Sequence, residues 1–176
     1  MRLIAEAAPD HDAFVLDVGG GPSTVVDGLL RLGYRHVGVL DLSRAALAHS
    51  QARLGSTTAQ VTWYEADILT VDLPAGGVDV WHDRAVFHFL TDPADRDRYI
   101  TQVRRSVRPG GHVLVATFGE DGPTRCSGLE VARYSPESLH SAFGPEFRLL
   151  KSIREDHLTP TGAHQGVRLL LVSLLT

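Results

Sequence analysis

Short apolar runs alternate with amphipathic stretches of helical period along most of the chain. Runs rich in β-branched and aromatic residues predict strands near 14–18, 36–40, 61–64, 78–81, 112–118, 147–153 and 167–175. Helical periodicity predicts helices near 24–32, 44–54, 93–107 and 136–144. Ser23 and Ser43 are expected to cap the first two helices, and Pro109-Gly110-Gly111 is expected to form a turn. Residues 119–134 fit neither pattern and are expected to be irregular.

Strand–helix alternation predicts one α/β domain over residues 1–176, with a mostly parallel sheet and helices on both of its faces. No long helix separates the last two predicted strands. They are therefore expected to form an antiparallel hairpin at one edge of the sheet.

Composition narrows the class of protein. With 176 residues, 43% hydrophobic and 22% charged, the chain has the composition of a soluble globular domain. The single cysteine, Cys126, excludes a disulfide framework and a cysteine-based zinc site, and the histidines show no metal-ligand spacing. A net charge of -4 argues against an extended nucleic-acid surface. No apolar run approaches the ~18 residues of a membrane span and no signal peptide is visible, so a cytoplasmic location is expected.

Three consecutive glycines, Gly19, Gly20 and Gly21, follow the first predicted strand and precede the first predicted helix. Glycines there let the chain turn sharply and let a ligand touch the backbone, although a plain tight turn is the alternative interpretation. Asp41 ends the second predicted strand, where a carboxylate can accept hydrogen bonds from both hydroxyls of a ribose. Asp67 follows the third, where it can accept from an adenine amino group while Ile68 packs on the ring.

The kind of nucleotide is narrowed by the residues around the turn. No Gly-Lys-Ser/Thr follows it, which excludes a P-loop. A dinucleotide fingerprint requires glycine or alanine where this chain has Thr24. The Asp17 carboxylate beside the turn would repel a pyrophosphate and attract an ammonium group. A dehydrogenase is therefore the less favoured interpretation.

The stretch from Val15 to Gly21 resembles the first motif of the class I S-adenosylmethionine-dependent methyltransferases, and the acids at 41, 67 and 79 and the turn at 107–111 are similar to their later motifs. The resemblance implies a Rossmann-like, seven-stranded sheet and S-adenosylmethionine as the cofactor. The cofactor-binding residues that it implies are Asp17, Gly19, Gly20, Gly21, Asp41, Leu42, Asp67, Ile68 and His82. Pro22-Ser23 departs from the pattern, and only about a dozen residues precede the first strand, so the N-terminal lid of the family is expected to be short or absent.

His82-Asp83-Arg84 follows the fourth predicted strand, where the second substrate is expected. His82 and Asp83 are candidates for a general base, and Arg84 for holding an anionic group. The alternative is that Asp83 and Arg84 form an ion pair that braces the loop, while His82 contacts the cofactor only through its backbone. Further candidates for the substrate pocket are Phe87, His88 and Cys126, although a lone cysteine is more often a small buried hydrophobic residue.

The segments around Arg84, Asp97 and Thr117 are similar to the pattern of thiopurine and small-thiol methyltransferases, which implies a small, thiol-like acceptor. Two alternatives stay open: a protein lysine methyltransferase of the same fold, and a non-catalytic module that only binds the cofactor. The intact Asp17, Asp41 and Asp67 weigh against the second alternative. No metal, nucleic-acid or membrane partner is expected.

Overall fold

The computed structural model describes residues 1–84, 86–158 and 164–175. Its helices are α1 (Arg2–Ala7), α2 (Val25–Arg31), α3 (Arg44–Leu54), α4 (Pro93–Ser106) and α5 (Pro136–Phe143). Its strands are β1 (Phe14–Val18), β2 (His36–Asp41), β3 (Val61–Glu65), β4 (Val78–Asp83), β5 (Val107–Gly119), β6 (Arg125–Cys126), β7 (Leu129–Glu130), β8 (Arg133–Tyr134), β9 (Phe147–Leu158) and β10 (His164–Leu174). Short 3₁₀ turns lie at Gly55–Gln60 and Phe87–Phe89.

Side-chain caps begin most of the predicted helices. The Ser43 hydroxyl accepts a hydrogen bond from the Ala46 amide, and the Asp92 carboxylate accepts one from the Ala94 amide. Ser135 forms a reciprocal capping box with Ser138. At α2 the expected cap is displaced by one residue: Thr24 occupies the cap position without a side-chain bond, and Ser23 accepts from the Val25 amide instead.

The predicted sheet is confirmed. Its strand order is β3-β2-β1-β4-β5-β10-β9, and β1 to β5 run parallel to one another. β10 runs antiparallel to both β5 and β9, so the C-terminal hairpin forms one edge of the sheet as expected. An eighth short strand, β8, pairs in parallel with the end of β5.

Two local expectations are corrected. Residues 119–134 are not irregular throughout, since β6 and β7 pair as a small antiparallel ribbon and β8 joins the main sheet. The expected turn at Pro109-Gly110-Gly111 lies inside β5, where the ladder shifts between the Val78 and Val80 pairings. Gly110 there has a φ of 75°, the left-handed conformation that glycine adopts at little cost.

The core lies on both faces of the sheet. Buried side chains of α1, α2 and α3 pack on one face with Val15, Val39 and Val80, and buried side chains of α4 and α5 pack on the other with Leu16 and Trp81. The segment before β1 is not bare, because α1 buries Ile4 against the first face. Among the described residues, none of the helices combines the length and the hydropathy of a membrane span.

Candidate functional site

The carboxyl ends of β1, β2, β3 and β4 bring the predicted site residues to one edge of the sheet. Asp17 on β1 pairs in register with His82 on β4, and Asp41 on β2 pairs with Glu65 on β3. This edge is where ligands bind in open α/β sheets. The strand order reverses between β1 and β4, which makes the Asp17–His82 position the switch point of the topology.

The glycine turn fits closely against two carboxylates. A Cβ atom on Gly20 would lie 2.5 Å from Asp17 Oδ2, and one on Gly21 would lie 2.5 Å from Asp41 Oδ2. Gly19 has a φ of 70°, and a Cβ there would overlap Val86 at 2.3 Å. A side chain at any of these three positions would therefore clash with a neighbouring group, and only glycine fits there.

The amide groups of the turn are engaged within the protein. Gly19 and Gly20 donate to the Leu40 carbonyl at 2.7 and 3.2 Å, and Gly21 donates to Asp41 Oδ2 at 3.0 Å. A turn that binds a phosphate presents its N–H groups to the ligand instead. This turn therefore allows a ligand to lie close to its backbone but does not offer its N–H groups to a phosphate.

Asp17 and His82 form a buried pair. Asp17 is 2% exposed, and its Oδ1 lies 2.6 Å from Nδ1 of His82, which is 8% exposed. The other oxygen, Oδ2, is buried and has no hydrogen-bond partner among the described residues. An unpaired buried carboxylate oxygen is costly, and such groups commonly have a ligand or water as their partner.

Asp41 and Asp67 are half-buried at the ends of their strands. Asp41 accepts from the Gly21 amide at 3.0 Å and from the Ser43 amide at 2.8 Å, one bond to each oxygen. Since a carboxylate has about four acceptor positions, both oxygens keep capacity for a further donor. Asp67 accepts from the Leu69 amide at 2.8 Å. Leu42 stands 72% exposed beside Asp41, whereas Ile68 is buried in the core.

His82 and Asp83, the two candidates for a general base, do not point into the same site. The two residues are neighbours on β4, and side chains of neighbouring strand residues point to opposite faces. The Asp83 carboxylate is 1% exposed and accepts from the Val86 and Phe87 amides and from the Tyr99 hydroxyl. Asp83 therefore fixes the loop after β4 through these backbone amides, and not through the ion pair with Arg84 that was the alternative interpretation.

Phe87 and His88, which the sequence predicts for the substrate pocket, are both buried in the core. Phe87 is fully buried among the rings of Tyr99, Tyr134 and Phe143. His88 is 3% exposed and stacks on Phe118, because the 3₁₀ turn after β4 enters the core. Cys126 is half-buried in the ribbon of β6 and β7.

A cavity of about 500 Å³ lies beside the Asp17–His82 pair. His82 and Arg84 line it together with the apolar side chains of Val25, Leu114 and Leu169 and the carboxylate of Glu155. The first residues of α1 close one side. Of the three predicted catalytic residues, His82 and Arg84 meet here and Asp83 does not.

The sequence analysis missed two residues on α3 that hold the glycine turn from behind. Ser50 on α3 is fully buried and donates to the Gly21 carbonyl at 2.5 Å. Arg53, one turn further along, donates to the Ser23 carbonyl at 2.7 Å and pairs with Asp27. Their spacing of three residues puts them on one face of α3, which is the only signal that the sequence offers. Among the described residues, no group of His, Cys, Asp or Glu side chains is placed to hold a metal ion.

A family model described as a methyltransferase domain matches residues 15–111, more than half of the chain. The chain therefore belongs to this family, and its resemblance to class I methyltransferases is confirmed. An uncharacterized methyltransferase of Mycobacterium tuberculosis is 35% identical over 120 residues, which cover 66% of this chain and 56% of that protein. The chain thus spans about half the length of the mycobacterial relatives that it matches.

Two further comparisons bear on the fold and on the range of the family. The EEF1A lysine methyltransferase 2 of Danio rerio is 26% identical over 153 residues, covering 81% of this chain and 58% of that protein. The structure of a SAM-dependent methyltransferase from Methanosarcina mazei superposes with a TM-score of 0.81 at 17% identity, covering 99% of this chain and 98% of that one. The second comparison concerns the fold alone.

Proposed function

We propose that the chain binds S-adenosylmethionine at the carboxyl edge of β1, β2 and β3 and transfers its methyl group to a small molecule. The observation that carries this proposal is the buried Asp17 carboxylate, whose Oδ2 lacks a partner among the described residues beside three glycines. A cationic ammonium group satisfies such an oxygen, and S-adenosylmethionine carries one at its methionine end.

The remaining acids fit the rest of this cofactor. Asp41 has acceptor capacity left for the two hydroxyls of the ribose, and its position is fixed by the Gly21 and Ser43 amides. Exposed Leu42 offers an apolar surface for the adenine, and Asp67 an acceptor for its amino group. The engaged amides of the turn favour a cofactor without a pyrophosphate, which supports S-adenosylmethionine over NAD.

The bound sulfonium would supply an electrophilic methyl group. The chain itself orients the acceptor and excludes water, which are the main contributions to an in-line displacement. His82 and Arg84 line a cavity next to Asp17, so they are the residues that we assign to the acceptor. A cavity of about 500 Å³ has the size of a small-molecule site, which supports a hydroxyl- or thiol-bearing small molecule over a protein.

The second candidate is a protein lysine methyltransferase. It is favoured by one observation: the alignment with the Danio rerio lysine methyltransferase covers 81% of this chain. Incubation with labelled S-adenosylmethionine and a cell extract, separated into protein and small-molecule fractions, distinguishes the two. Label in the small-molecule fraction supports our proposal, and label confined to protein supports the second candidate.

Titration calorimetry with S-adenosylhomocysteine tests the assignment of Asp41. The variant Asp41→Asn keeps one acceptor oxygen for the turn and removes the charge that strengthens bonds to the ribose. We expect affinity to fall by about 1.5–3 kcal/mol, roughly ten- to hundredfold. The control is Asp97→Ala, which removes an exposed carboxylate on α4 and should leave affinity unchanged. Equal affinity of Asp41→Asn and the wild type would show that the ribose is held elsewhere.

A further inference from the structure

The cavity beside the Asp17–His82 pair combines an apolar wall, a guanidinium and an imidazole. We propose that it takes the methyl acceptor as an anion: a small carboxylic acid, held by Arg84, whose hydroxyl or thiol gives its proton to His82. This inference rests on the proposed function and names the class of its acceptor. It is carried by the contacts of Arg84, His82 and Asp17.

Arg84 is exposed, and no hydrogen bond or ion pair to another described residue engages its guanidinium. Several other arginines are paired with a carboxylate, among them Arg35, Arg53, Arg105 and Arg108. An arginine kept without an internal partner at a cavity is available to an anion from solution. Its planar fork of donors matches a carboxylate in a bidentate geometry.

The cavity carries charged groups of both signs, and Arg84 is the guanidinium among them without a carboxylate partner in the described part of the chain. Arg2 and Arg84 contribute two guanidinium groups to its lining, and Glu155 contributes one carboxylate. Arg2 lies 3.5 Å from Glu6 on an exposed face of α1, so its charge is partly compensated there. Leu114 and Leu169 give the same cavity an apolar wall, which suits the hydrocarbon part of a small acid.

The imidazole of His82 is oriented by Asp17. Its Nδ1 lies 2.6 Å from Asp17 Oδ1, and its Nε2 has no hydrogen bond to a described residue. With the proton on Nδ1 donated to Asp17, Nε2 carries a lone pair and can accept a proton from a ligand in the cavity. A carboxylate behind the ring also stabilises the imidazolium that forms.

The proposed step couples a proton transfer to His82 with a displacement at the methyl carbon. The acceptor O–H or S–H bond breaks and its proton moves to Nε2 of His82, while the electron pair left on oxygen or sulfur forms the bond to the methyl carbon. The carbon–sulfur bond of the sulfonium breaks with its electron pair, which leaves a neutral thioether and a methylated acceptor. His82 then returns its proton to water.

Matched acid and amide pairs test the role of Arg84. The probes are 4-hydroxybenzoate against 4-hydroxybenzamide and 3-mercaptopropionate against 3-mercaptopropanamide, titrated into the protein saturated with S-adenosylhomocysteine. We expect at least one acid to bind the wild type about tenfold or more tightly than its amide, since a bidentate ion pair is lost in the amide. Arg84→Gln should abolish this preference, and Arg31→Gln, at the far end of α2, should retain it.

The role of His82 is tested on the acid that binds. His82→Gln should keep the affinities for that acid and for S-adenosylhomocysteine within about threefold and lower the transfer rate about a hundredfold or more. Undiminished transfer by His82→Gln would overturn its role as the base. Binding of no acid by the wild type, or an unchanged preference in Arg84→Gln, would overturn the anionic acceptor. Failure of the wild type to bind S-adenosylhomocysteine overturns the proposed function instead.

Discussion

Asp17 and Asp83 are buried carboxylates near the ends of two neighbouring strands, and they differ in their hydrogen-bond partners. Asp17 has one oxygen bound to His82 and one without a partner among the described residues, whereas Asp83 accepts from two backbone amides and a tyrosine. Burial, together with the Asp83 carboxylate, raises the pKa of Tyr99 well above its ordinary value, which keeps its hydroxyl protonated as a donor. Asp83 is thus a structural group, and Asp17 is the carboxylate with capacity for a ligand.

The separation of Asp83 from His82 follows from strand geometry, so the sequence carried a usable signal for it. Adjacent residues of a strand face opposite sides of the sheet, which excludes a side-chain pair at 82 and 83 once the strand is extended to Asp83. The partner of His82 on β1, in contrast, depends on strand order. The strand order could be read only from the tertiary structure.

His88 makes the stability of the fold depend on pH. Burial lowers its pKa from 6.5 to about 4, and both ring nitrogens are buried without a hydrogen bond to a described residue. The unfolded chain therefore binds a proton between pH 6.5 and about 4 that the folded chain does not, so stability is lost as the pH falls through this window. We expect His88→Phe, which keeps the stack on Phe118, to gain on the order of 2–3 kcal/mol over the wild type between pH 7 and pH 4.5.

Urea unfolding at both pH values measures this difference. His49→Phe, which replaces an exposed histidine on α3, is the control and should follow the wild type. Parallel loss of stability in the wild type and His88→Phe would mean that His88 is protonated in the folded protein.

At the scale of elements, α3 holds the glycine turn in place through Ser50 and Arg53. Ser50→Ala removes the hydroxyl that donates to the Gly21 carbonyl and accepts from Arg53 at 3.1 Å. We expect unfolding to become easier by about 1–3 kcal/mol, because the carbonyl loses its buried donor. Part of this cost should appear as a severalfold weaker affinity for S-adenosylhomocysteine, because Gly21 also bonds to Asp41.

The control for this prediction is Ser141→Ala, at an exposed position on α5. A loss of stability in Ser50→Ala with cofactor affinity unchanged would show that Ser50 supports the fold alone. If Ser50→Ala loses more affinity for S-adenosylhomocysteine than Ser141→Ala does, the result supports the role of Ser50 in holding the glycine turn.

Element prediction succeeded where periodicity or a cap was strong. β1 has the predicted bounds, and α3 ends before Gly55 as expected. The missed elements, α1 and β6 to β8, have two to six residues, which is too few for a hydrophobic period to be recognised. The 3₁₀ turn at Phe87–Phe89 is also too short to be recognised from a hydrophobic period. The sequence therefore does not indicate that Phe87 and His88 lie in the core.

At the scale of the whole molecule, strand–helix alternation was sufficient to predict the parallel sheet and the edge at which the acids meet. Asp17, Asp41 and Asp67 could be predicted to share one edge because each lies within two residues of the end of a strand, and the carboxyl ends of parallel strands meet there. The cavity could not be predicted, since α1, β4, β5, β9 and β10 each contribute to its lining. Contacts between elements so distant in sequence arise only from tertiary packing.

Thermal unfolding in the presence of S-adenosylmethionine tests most directly whether this edge binds the proposed cofactor. At a concentration about 100 times its Kd, a ligand of the folded state adds roughly 2.7 kcal/mol. For a chain of this size that raises Tm by about 5–10 °C. We expect this rise with S-adenosylmethionine and S-adenosylhomocysteine and none with NAD, and we expect Asp17→Asn to reduce it. A rise with NAD and none with S-adenosylmethionine would contradict the assignment of the site.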